Sequence, residues 1–280
     1  MSVKIIVDST ADLMPDIKSQ VETVPLTLRF GDEEFVDGIT IDHKAFYEKL
    51  VECDELPTTS QATPATFVPF FDEVQKSGDS AVVITLSQKL SGTYHSAVLA
   101  SQDYNDIYVV DSSSVAIGTG ILVEYALKLK KVGKSAKDIA QELEKKKEDI
   151  VLVAMLDTLE YLKKGGRISS SVAFVGGVLN IKPVVSLDKG EIVMLGKARG
   201  SKQANNLLIQ EIEKAGGVDF SQPLLLGYTG LSDVLLQKYI EDSKGLWEQS
   251  NKKLNVTPIG AIIGTHAGPG AVAVAFFKKN

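Results

Sequence analysis

Short apolar runs separated by helical patterns fill the first half of the chain, and they constrain the fold more than any other feature. The apolar runs have the length of strands and lie at residues 3–7, 81–85, 107–110 and 151–155. Amphipathic patterns typical of helices lie between them, at residues 67–75, 93–102, 120–131 and 136–147. This alternation predicts a largely parallel sheet with flanking helices. Aromatic residues make up only 7% of the chain, which suits buried parallel strands better than an antiparallel sandwich.

A different pattern occupies residues 21–42. Two extended runs, at residues 24–30 and 34–39, flank a turn at Gly31-Asp32. A helix is predicted directly afterwards, at residues 44–51. This segment therefore predicts a small β excursion inside the first half.

The regular alternation of predicted strands and helices ends after Met155. A short helical stretch at 156–164 is followed by strands at 182–187 and 191–196 around the turn Asp188-Lys189-Gly190. Further helices are predicted at 201–214 and 233–243, with strands at 223–228, 256–264 and 271–277. We predict an α/β protein of two closely packed domains. An N-terminal domain (1–156) has a mainly parallel sheet and the excursion, and a C-terminal domain (157–280) has a mixed sheet.

Charge and composition exclude several classes of protein. The net charge is -6 and basic clusters are interleaved with acids, so no basic stripe marks a nucleic-acid site. Cys53 is the only cysteine, which excludes an intramolecular disulfide. No run reaches the roughly 18 apolar residues that a membrane span needs. We expect a cytoplasmic protein without a transmembrane segment.

The common enzymatic motifs are incomplete in this sequence. Gly133-Lys134-Ser135 resembles the end of a phosphate-binding loop, but Lys128 stands where its first glycine belongs. A dinucleotide pattern begins at Gly118-Thr119-Gly120 and fails at Val123, and no Gly-x-Ser-x-Gly elbow occurs. The three histidines are isolated in sequence, so no metal site and no resident cofactor are expected.

Hydroxyl groups accumulate in the loops that follow the predicted strands. These loops contain Ser9-Thr10, Ser91-Gly92-Thr93 and Ser112-Ser113-Ser114. A further group, Thr58-Thr59-Ser60-Gln61, lies just ahead of Thr63-Pro64, which is typical of an N-cap and a first helical residue. Helix capping explains any single Ser or Thr in such a position. Several such loops at one sheet edge favour a ligand, because hydroxyls and free amides can hold a carboxylate or phosphate without a full counter-charge.

Two charged or titratable residues could complete this site. His266 follows the predicted strand at 256–264 and precedes a Gly-Pro-Gly turn, which gives its ring room and support. Arg167 is either a solvated loop cation or an anion clamp. A catalytic arrangement of Ser91, His266 and Asp8 or Asp111 stays open, so a small serine hydrolase or esterase is an alternative function.

Seven short segments, in this order along almost the whole chain, resemble the DegV family of lipid-binding proteins. They are Val7-Asp8-Ser9-Thr10-Ala11-Asp12, Thr59-Ser60-Gln61, Leu90-Ser91-Gly92-Thr93-Tyr94, Val110-Asp111-Ser112, Lys164-Gly165-Gly166-Arg167-Ile168, Ile181-Lys182-Pro183 and His266-Ala267-Gly268-Pro269-Gly270. Each is short, but the set is specific.

The resemblance implies that one long-chain fatty acid lies in a tunnel between the two domains. Its carboxylate would be held by residues at the matching positions, namely Thr59, Ser60, Ser91, Gly92, Thr93 and His266, with Arg167 near the entrance. The family also implies a carrier that is not catalytic alone and presents the carboxyl to a separate ATP-using fatty acid kinase subunit. A lipid-responsive regulator, with transient membrane-surface contact, is a further alternative.

Two positions depart from the family pattern, and one segment offers a tunnel wall. Ala62 stands where the family commonly has proline, and Gln88 where it often has serine. We expect neither to touch the head-group residues. The apolar segment from Val172 to Ile181 supplies candidate wall residues, although ordinary core packing explains them equally well.

Overall fold

The computed structural model describes residues 2–169, 180–248, 250 and 253–279. The strands are β1 (Val3–Asp8), β2 (Glu22–Val24), β3 (Thr27–Phe30), β4 (Glu33–Val36), β5 (Thr58–Ser60), β6 (Ser80–Thr85), β7 (Ile107–Asp111), β8 (Ile150–Met155), β9 (Ile181–Asp188), β10 (Glu191–Arg199), β11 (Leu224–Tyr228), β12 (Val256–Pro258) and β13 (Val272–Phe277). The α-helices are α1 (Pro15–Lys18), α2 (His43–Glu52), α3 (Pro64–Ser77), α4 (Thr93–Ser101), α5 (Ile117–Lys131), α6 (Ala136–Lys146), α7 (Glu160–Lys164), α8 (Gly200–Lys214), α9 (Val234–Asp242), α10 (Lys244–Trp247) and α11 (Ala261–Ala267).

A four-stranded parallel sheet in the order β2-β1-β6-β7 contains three of the four apolar runs predicted for it, and β2 is its fourth strand. The assignment of the fourth run, 151–155, to this sheet is wrong, because that run forms β8 of the second sheet. Successive residues of β1 in the parallel sheet point to opposite faces. Ile6 packs in a core with Phe67 and Phe71 of α3, whereas Ile5 packs with α5 and α6. Both faces are therefore covered by helices, which explains why these strands read as continuous apolar runs.

The predicted β excursion exists, but its first strand is divided. Residues 22–24 join the parallel sheet, while β3 pairs with β4 and β5 in a separate antiparallel sheet. Pro25 lies between the two pieces and has no N–H to donate to a ladder, so one continuous strand cannot form. Pairing of Leu28 with Thr59 fixes the position of β5.

The second sheet has six strands in the order β10-β9-β8-β13-β11-β12. It is mixed, as predicted, because β11 and β12 are parallel whereas the other neighbours are antiparallel. Its strand β8 lies before Asp157, where the sequence placed the domain boundary. Sheet membership alone does not delimit a domain, so the boundary stays a prediction.

The predicted strand at 256–264 is wrong beyond Pro258. The chain instead forms helix α11, whose N-cap is Gly260. A short apolar run has no periodicity that separates a strand from a buried helix. Tertiary packing decides here, because a Cβ on Gly264 would lie 2.7 Å from the Phe46 ring of α2. Helix α11 therefore approaches α2 closely and carries His266.

No helix among the described residues is long and apolar enough to cross a membrane.

Candidate functional site

An elongated cavity lies between one face of the six-stranded sheet and the loops at the end of the parallel sheet. Alternation along β8 builds its floor, since Leu152 and Ala154 face the cavity while Val153 and Met155 pack on the opposite face. The empty volume is about 950 Å³, the open mouth included. We call this the inter-sheet cavity, and its aliphatic lining comprises Leu26, Leu86, Leu90, Val115, Ala116, Leu152, Ala154, Leu156, Leu162, Val185, Leu187, Ile192, Ile259, Ile262, Ile263, Ala267, Ala271 and Ala273.

Six of the seven described polar residues that line this cavity lie at one end, and the seventh, Ser186 of β9, donates its hydroxyl to the Leu152 oxygen. The sequence predicted five of the lining residues there, and Gln61 was missed; the set is Thr59, Ser60, Gln61, Ser91, Arg167 and His266. They come from β5, the loop before α4, the loop after α7, and α11. We call this set the polar end. An apolar body with a small group of polar contacts at one end is typical of a site for an amphipathic small molecule.

Thr59 and His266 form the central contact of the polar end. The Thr59 Oγ1 lies 2.9 Å from His266 Nε2, although the two residues are 207 positions apart. His266 Nδ1 is buried without a hydrogen-bond partner among the described residues, against Gly165. A Cβ on Gly165 would lie 2.2 Å from that nitrogen, so only glycine allows the ring to sit there.

The His266 ring is neutral at pH 7. Burial, and then the positive charge of Arg167, lower its pKa from 6.5 to about 4. A neutral ring can donate one hydrogen bond without bringing a full charge into the cavity. The polar end therefore combines neutral hydroxyl and imidazole groups with a single nearby guanidinium.

Backbone carbonyls hold Arg167 beside this pair. Its Nε donates to the Leu90 oxygen at 3.2 Å, and its Nη1 donates to the Gly165 oxygen at 2.6 Å. The guanidinium thus ties the loop after α7 to the loop before α4. A second recess on the outer side, lined by Thr58, Tyr161 and Lys164, shares Thr59, Arg167 and His266 with the polar end.

The predicted residues of the α4 loop divide into two groups. Ser91 lines the inter-sheet cavity, whereas Gly92 and Thr93 do not. The Ser91 and Thr93 hydroxyls share a hydrogen bond of 3.0 Å, and the Thr93 amide donates to Ser91 Oγ at 3.3 Å. A Cβ on Gly92 would lie 2.0 Å from Gln61 Oε1, so glycine is needed for this close contact.

The departure at Ala62 touches the predicted site, contrary to expectation. Its amide donates to the buried Thr93 Oγ1 at 3.3 Å. Proline has no N–H and could not form this bond. Gln88 was expected not to touch the head-group residues, and its hydrogen bonds go to Asp111. Its backbone amide and its side-chain amide each donate to the Asp111 carboxylate. The alanine therefore links the β5 loop to α4.

The described residues do not assemble the Ser-His-Asp arrangement that the sequence left open. His266 Nε2 contacts Thr59, and Ser91 contacts Thr93. The carboxylates of Asp8 and Asp111 accept hydrogen bonds from their own loops and from the 86–88 segment. A hydrolase would need a base bonded to its nucleophile and oriented by a third group. This geometry gives the hydrolase alternative no support.

Two further expectations concern the wall and metals. The predicted wall residues Val172, Ala173, Phe174, Val175, Val178 and Leu179 lie outside the described residues, and Ile181 is a half-buried residue of β9 that does not line the cavity. Among the described residues, the wall comes from β8, β9, β13 and α11, and the apolar residues of these segments were the available signal. Within the described ranges, no three His, Cys, Asp or Glu side chains are grouped to hold a metal ion.

Comparison with known proteins adds independent evidence. A family model described as an uncharacterised protein of the DegV family matches residues 2–279. A DegV domain-containing protein of Caldanaerobacter subterraneus subsp. tengcongensis is 34% identical over 286 residues, which cover 99% of each chain.

Two solved structures share the architecture. A DegV family protein of Thermus thermophilus, described by its fatty acid binding, is 30% identical with a TM-score of 0.87, covering 99% of this chain and 100% of that one. The Fatty Acid Kinase (Fak) B3 protein of Streptococcus pneumoniae, loaded with linoleic acid, is 26% identical with a TM-score of 0.86, covering 100% of both chains. The predicted fold class is confirmed.

Proposed function

The chain belongs to the DegV family, and from this we propose that it binds one long-chain fatty acid in the inter-sheet cavity. The observation that carries the proposal is the aliphatic cavity that ends at the Thr59–His266 contact. The fatty-acid-binding relative from Thermus thermophilus and the linoleic-acid-loaded one from Streptococcus pneumoniae support the same ligand class.

Burial of the acyl tail dominates the affinity. A chain of about 16 carbons offers on the order of 10 kcal/mol of transfer free energy, at roughly 0.8 kcal/mol per methylene, before ordering costs. Away from the polar end, the cavity lining is aliphatic except for Ser186, so it selects for hydrocarbon and not for a particular polar pattern.

The polar end selects the carboxylate. An ionised head group without partners in a closed site would cost several kcal/mol and offset much of the tail's contribution. In our proposal, His266 Nε2 donates to Thr59 Oγ1, which leaves the Thr59 proton for the carboxylate. Ser91 and Ser60 supply further hydroxyls, the Gly92 and Thr93 amides stay candidate donors at the start of α4, and Arg167 adds a positive charge nearby.

Replacing Ser91 or His266 with alanine is expected to weaken fatty-acid binding between tenfold and a hundredfold. Each change removes either a hydrogen-bond donor to the carboxylate or the group that orients such a donor. One hydrogen bond to a charged group contributes about 1.5–3 kcal/mol. Affinity is measured by displacement of a fluorescent fatty acid, and the copurified acid is quantified by lipid extraction and mass spectrometry.

His95→Ala is the matched control, because His95 is exposed on α4 and lies away from the cavity. Circular dichroism establishes that each variant is folded. Wild-type affinity in both the Ser91 and His266 variants would contradict the proposed head-group site.

We further propose that the protein is an acyl carrier for a separate kinase subunit. The outer recess beside Thr59 and Arg167 supports this role, since it adjoins the polar end from the solvent side. The partner would transfer the terminal phosphate of ATP to a carboxylate oxygen, forming an acyl phosphate and releasing ADP. Because that reaction needs ATP, we place the protein in the cytoplasm.

Acyl phosphate is expected to form only when the loaded protein, ATP and a fatty acid kinase subunit are combined. The loaded protein alone is expected neither to consume ATP nor to hydrolyse p-nitrophenyl palmitate. Trapping of the product with hydroxylamine measures the first reaction, and absorbance measures the second. Ester turnover that Ser91→Ala abolishes would instead establish the hydrolase.

A further inference from the structure

A second cavity lies on the other side of the Gly260–Ala261 turn from the inter-sheet cavity. It is bounded by the loop after β1, the segment between β4 and α2, and the turn that connects β12 to α11. Its empty volume is about 920 Å³, the open mouth included. We call it the acidic cavity, because Asp12 and Asp37 both line it.

Asp12 has an unused carboxylate oxygen in this cavity. The side chain is nearly buried, with 8% of its surface exposed. Its Oδ1 accepts a hydrogen bond from the Gly260 amide at 2.8 Å. Its Oδ2 is buried and has no hydrogen-bond partner among the described residues. A buried carboxylate oxygen without a donor is costly, so this atom marks a place for a donor from outside.

Asp37 adds a second carboxylate, and the exposed Lys18 is the one cation among the described residues that line this cavity. Burial raises the pKa of Asp12 well above its usual range and that of Asp37 to about 6, and the charge of Asp37 raises the pKa of Asp12 further. The exposed Lys18 ammonium acts on both carboxyls through charge alone. Burial lowers the pKa of the remaining titratable lining residue, His43, which leaves its ring without a positive charge near pH 7.

The rest of the lining indicates what kind of cation fits. Apolar side chains of Leu13, Pro25, Ile39 and Ile41 surround the carboxylates, and hydroxyls come from Ser9, Thr23 and Thr257. A bare metal ion would need several charged or imidazole ligands, and the described residues offer no such group. The cavity is also much larger than an ion, and its apolar lining suits methylene groups.

We propose that the acidic cavity binds a small organic cation, with a primary ammonium between Asp12 and Asp37 and a short aliphatic body against Leu13 and Ile41. The ammonium supplies the donor that Asp12 Oδ2 lacks and adds a second positive charge to that of Lys18. This site is independent of the fatty-acid site, although both share the Gly260–α11 segment as a wall.

Titration of the full chain with n-butylammonium and 1,4-diaminobutane tests the site, with calorimetry at pH 8 and low salt. At this pH Asp37 is ionised and both probes are charged. We expect saturable binding to wild type and at least tenfold weaker binding to Asp12→Asn and Asp37→Asn. Asparagine at position 12 retains an acceptor for the Gly260 amide, so the local fold is preserved.

Asp16→Asn is the matched control, since Asp16 is an exposed acid on the adjacent α1 that does not line the cavity. It is expected to bind the amines as wild type does, and n-butanol, which lacks the charge, is expected not to bind. Absence of saturable amine binding to wild type, or binding by both aspartate variants as tight as that of wild type, overturns the proposal. Binding of K⁺ or Mg²⁺ that depends on Asp12 while the amines fail to bind overturns it in favour of a metal site.

Discussion

Ala154→Phe is expected to lower fatty-acid affinity by more than tenfold and to leave the protein folded. Ala154 lies on β8 with its side chain directed into the inter-sheet cavity, so a phenyl ring would occupy space that the acyl chain needs. Displacing only two methylenes costs about 1.6 kcal/mol, which already exceeds a tenfold change in affinity. Because Ala154 lines the cavity, the ring is directed into space that is open in this structure.

The measurement compares the copurified acid per mole of protein, and the affinity for added acid, in wild type and variant. Ala65→Phe is the matched control, since it adds the same ring at an exposed position of α3. A melting temperature within about 4 °C of wild type shows that the fold is retained. A folded Ala154→Phe protein with undiminished fatty acid would place the ligand outside this cavity.

The parallel half of the fold was accessible from sequence because its signals are local. Three of the four strands of this sheet, β1, β6 and β7, are short apolar runs, and helices with an amphipathic period lie between them in the chain. Handedness and neighbour rules then leave few ways to arrange such units. Even the start of α3 was legible, because Thr63 and Pro64 form its N-cap and first turn.

The sheet assignment of β8 was not accessible in the same way. Its strand was predicted correctly, yet its partners β9 and β13 follow much later in the chain. An apolar run indicates that a strand is buried, but it does not indicate which other strand the buried strand pairs with. Helix α11 was missed for a related reason, since its packing on Phe46 and Tyr47 of α2 is a tertiary contact.

The polar end was predictable as a set of residues but not as a geometry. Loop position and residue type identified Thr59, Ser91 and His266, but the Thr59–His266 bond depends on β5 pairing with β3 and on α11 forming a helix. Empty space is a property of packed faces, so neither cavity has a sequence signal of its own. Asp37 attracted no attention in the sequence, and its importance arises only from its place opposite Asp12.

Lowering the pH from 7 to 4.5 is expected to cost wild type about 2–3 kcal/mol of stability that a His266→Gln variant keeps. Folding lowers the pKa of His266 from 6.5 to about 4, so the unfolded chain takes up a proton below pH 6.5 and the folded chain does not. Stability from this group is therefore complete above pH 6.5 and falls as the pH drops toward 4. Each pH unit in this window is worth about 1.4 kcal/mol.

Urea unfolding at both pH values gives the free energy of unfolding of each protein. The buried carboxyls of Asp8, Asp12 and Asp37 have raised pKa values and act in the opposite direction, since their folded forms bind protons more readily. They are the same in both proteins, so their effect cancels when the pH-induced changes are subtracted. The loss of the Thr59 contact in the variant is present at both pH values and cancels as well.

His95→Gln, at an exposed position, is the matched control and is expected to follow wild type. If His266→Gln loses as much stability as wild type, the ring is protonated in the folded protein near pH 6, and Thr59 is then paired with an imidazolium.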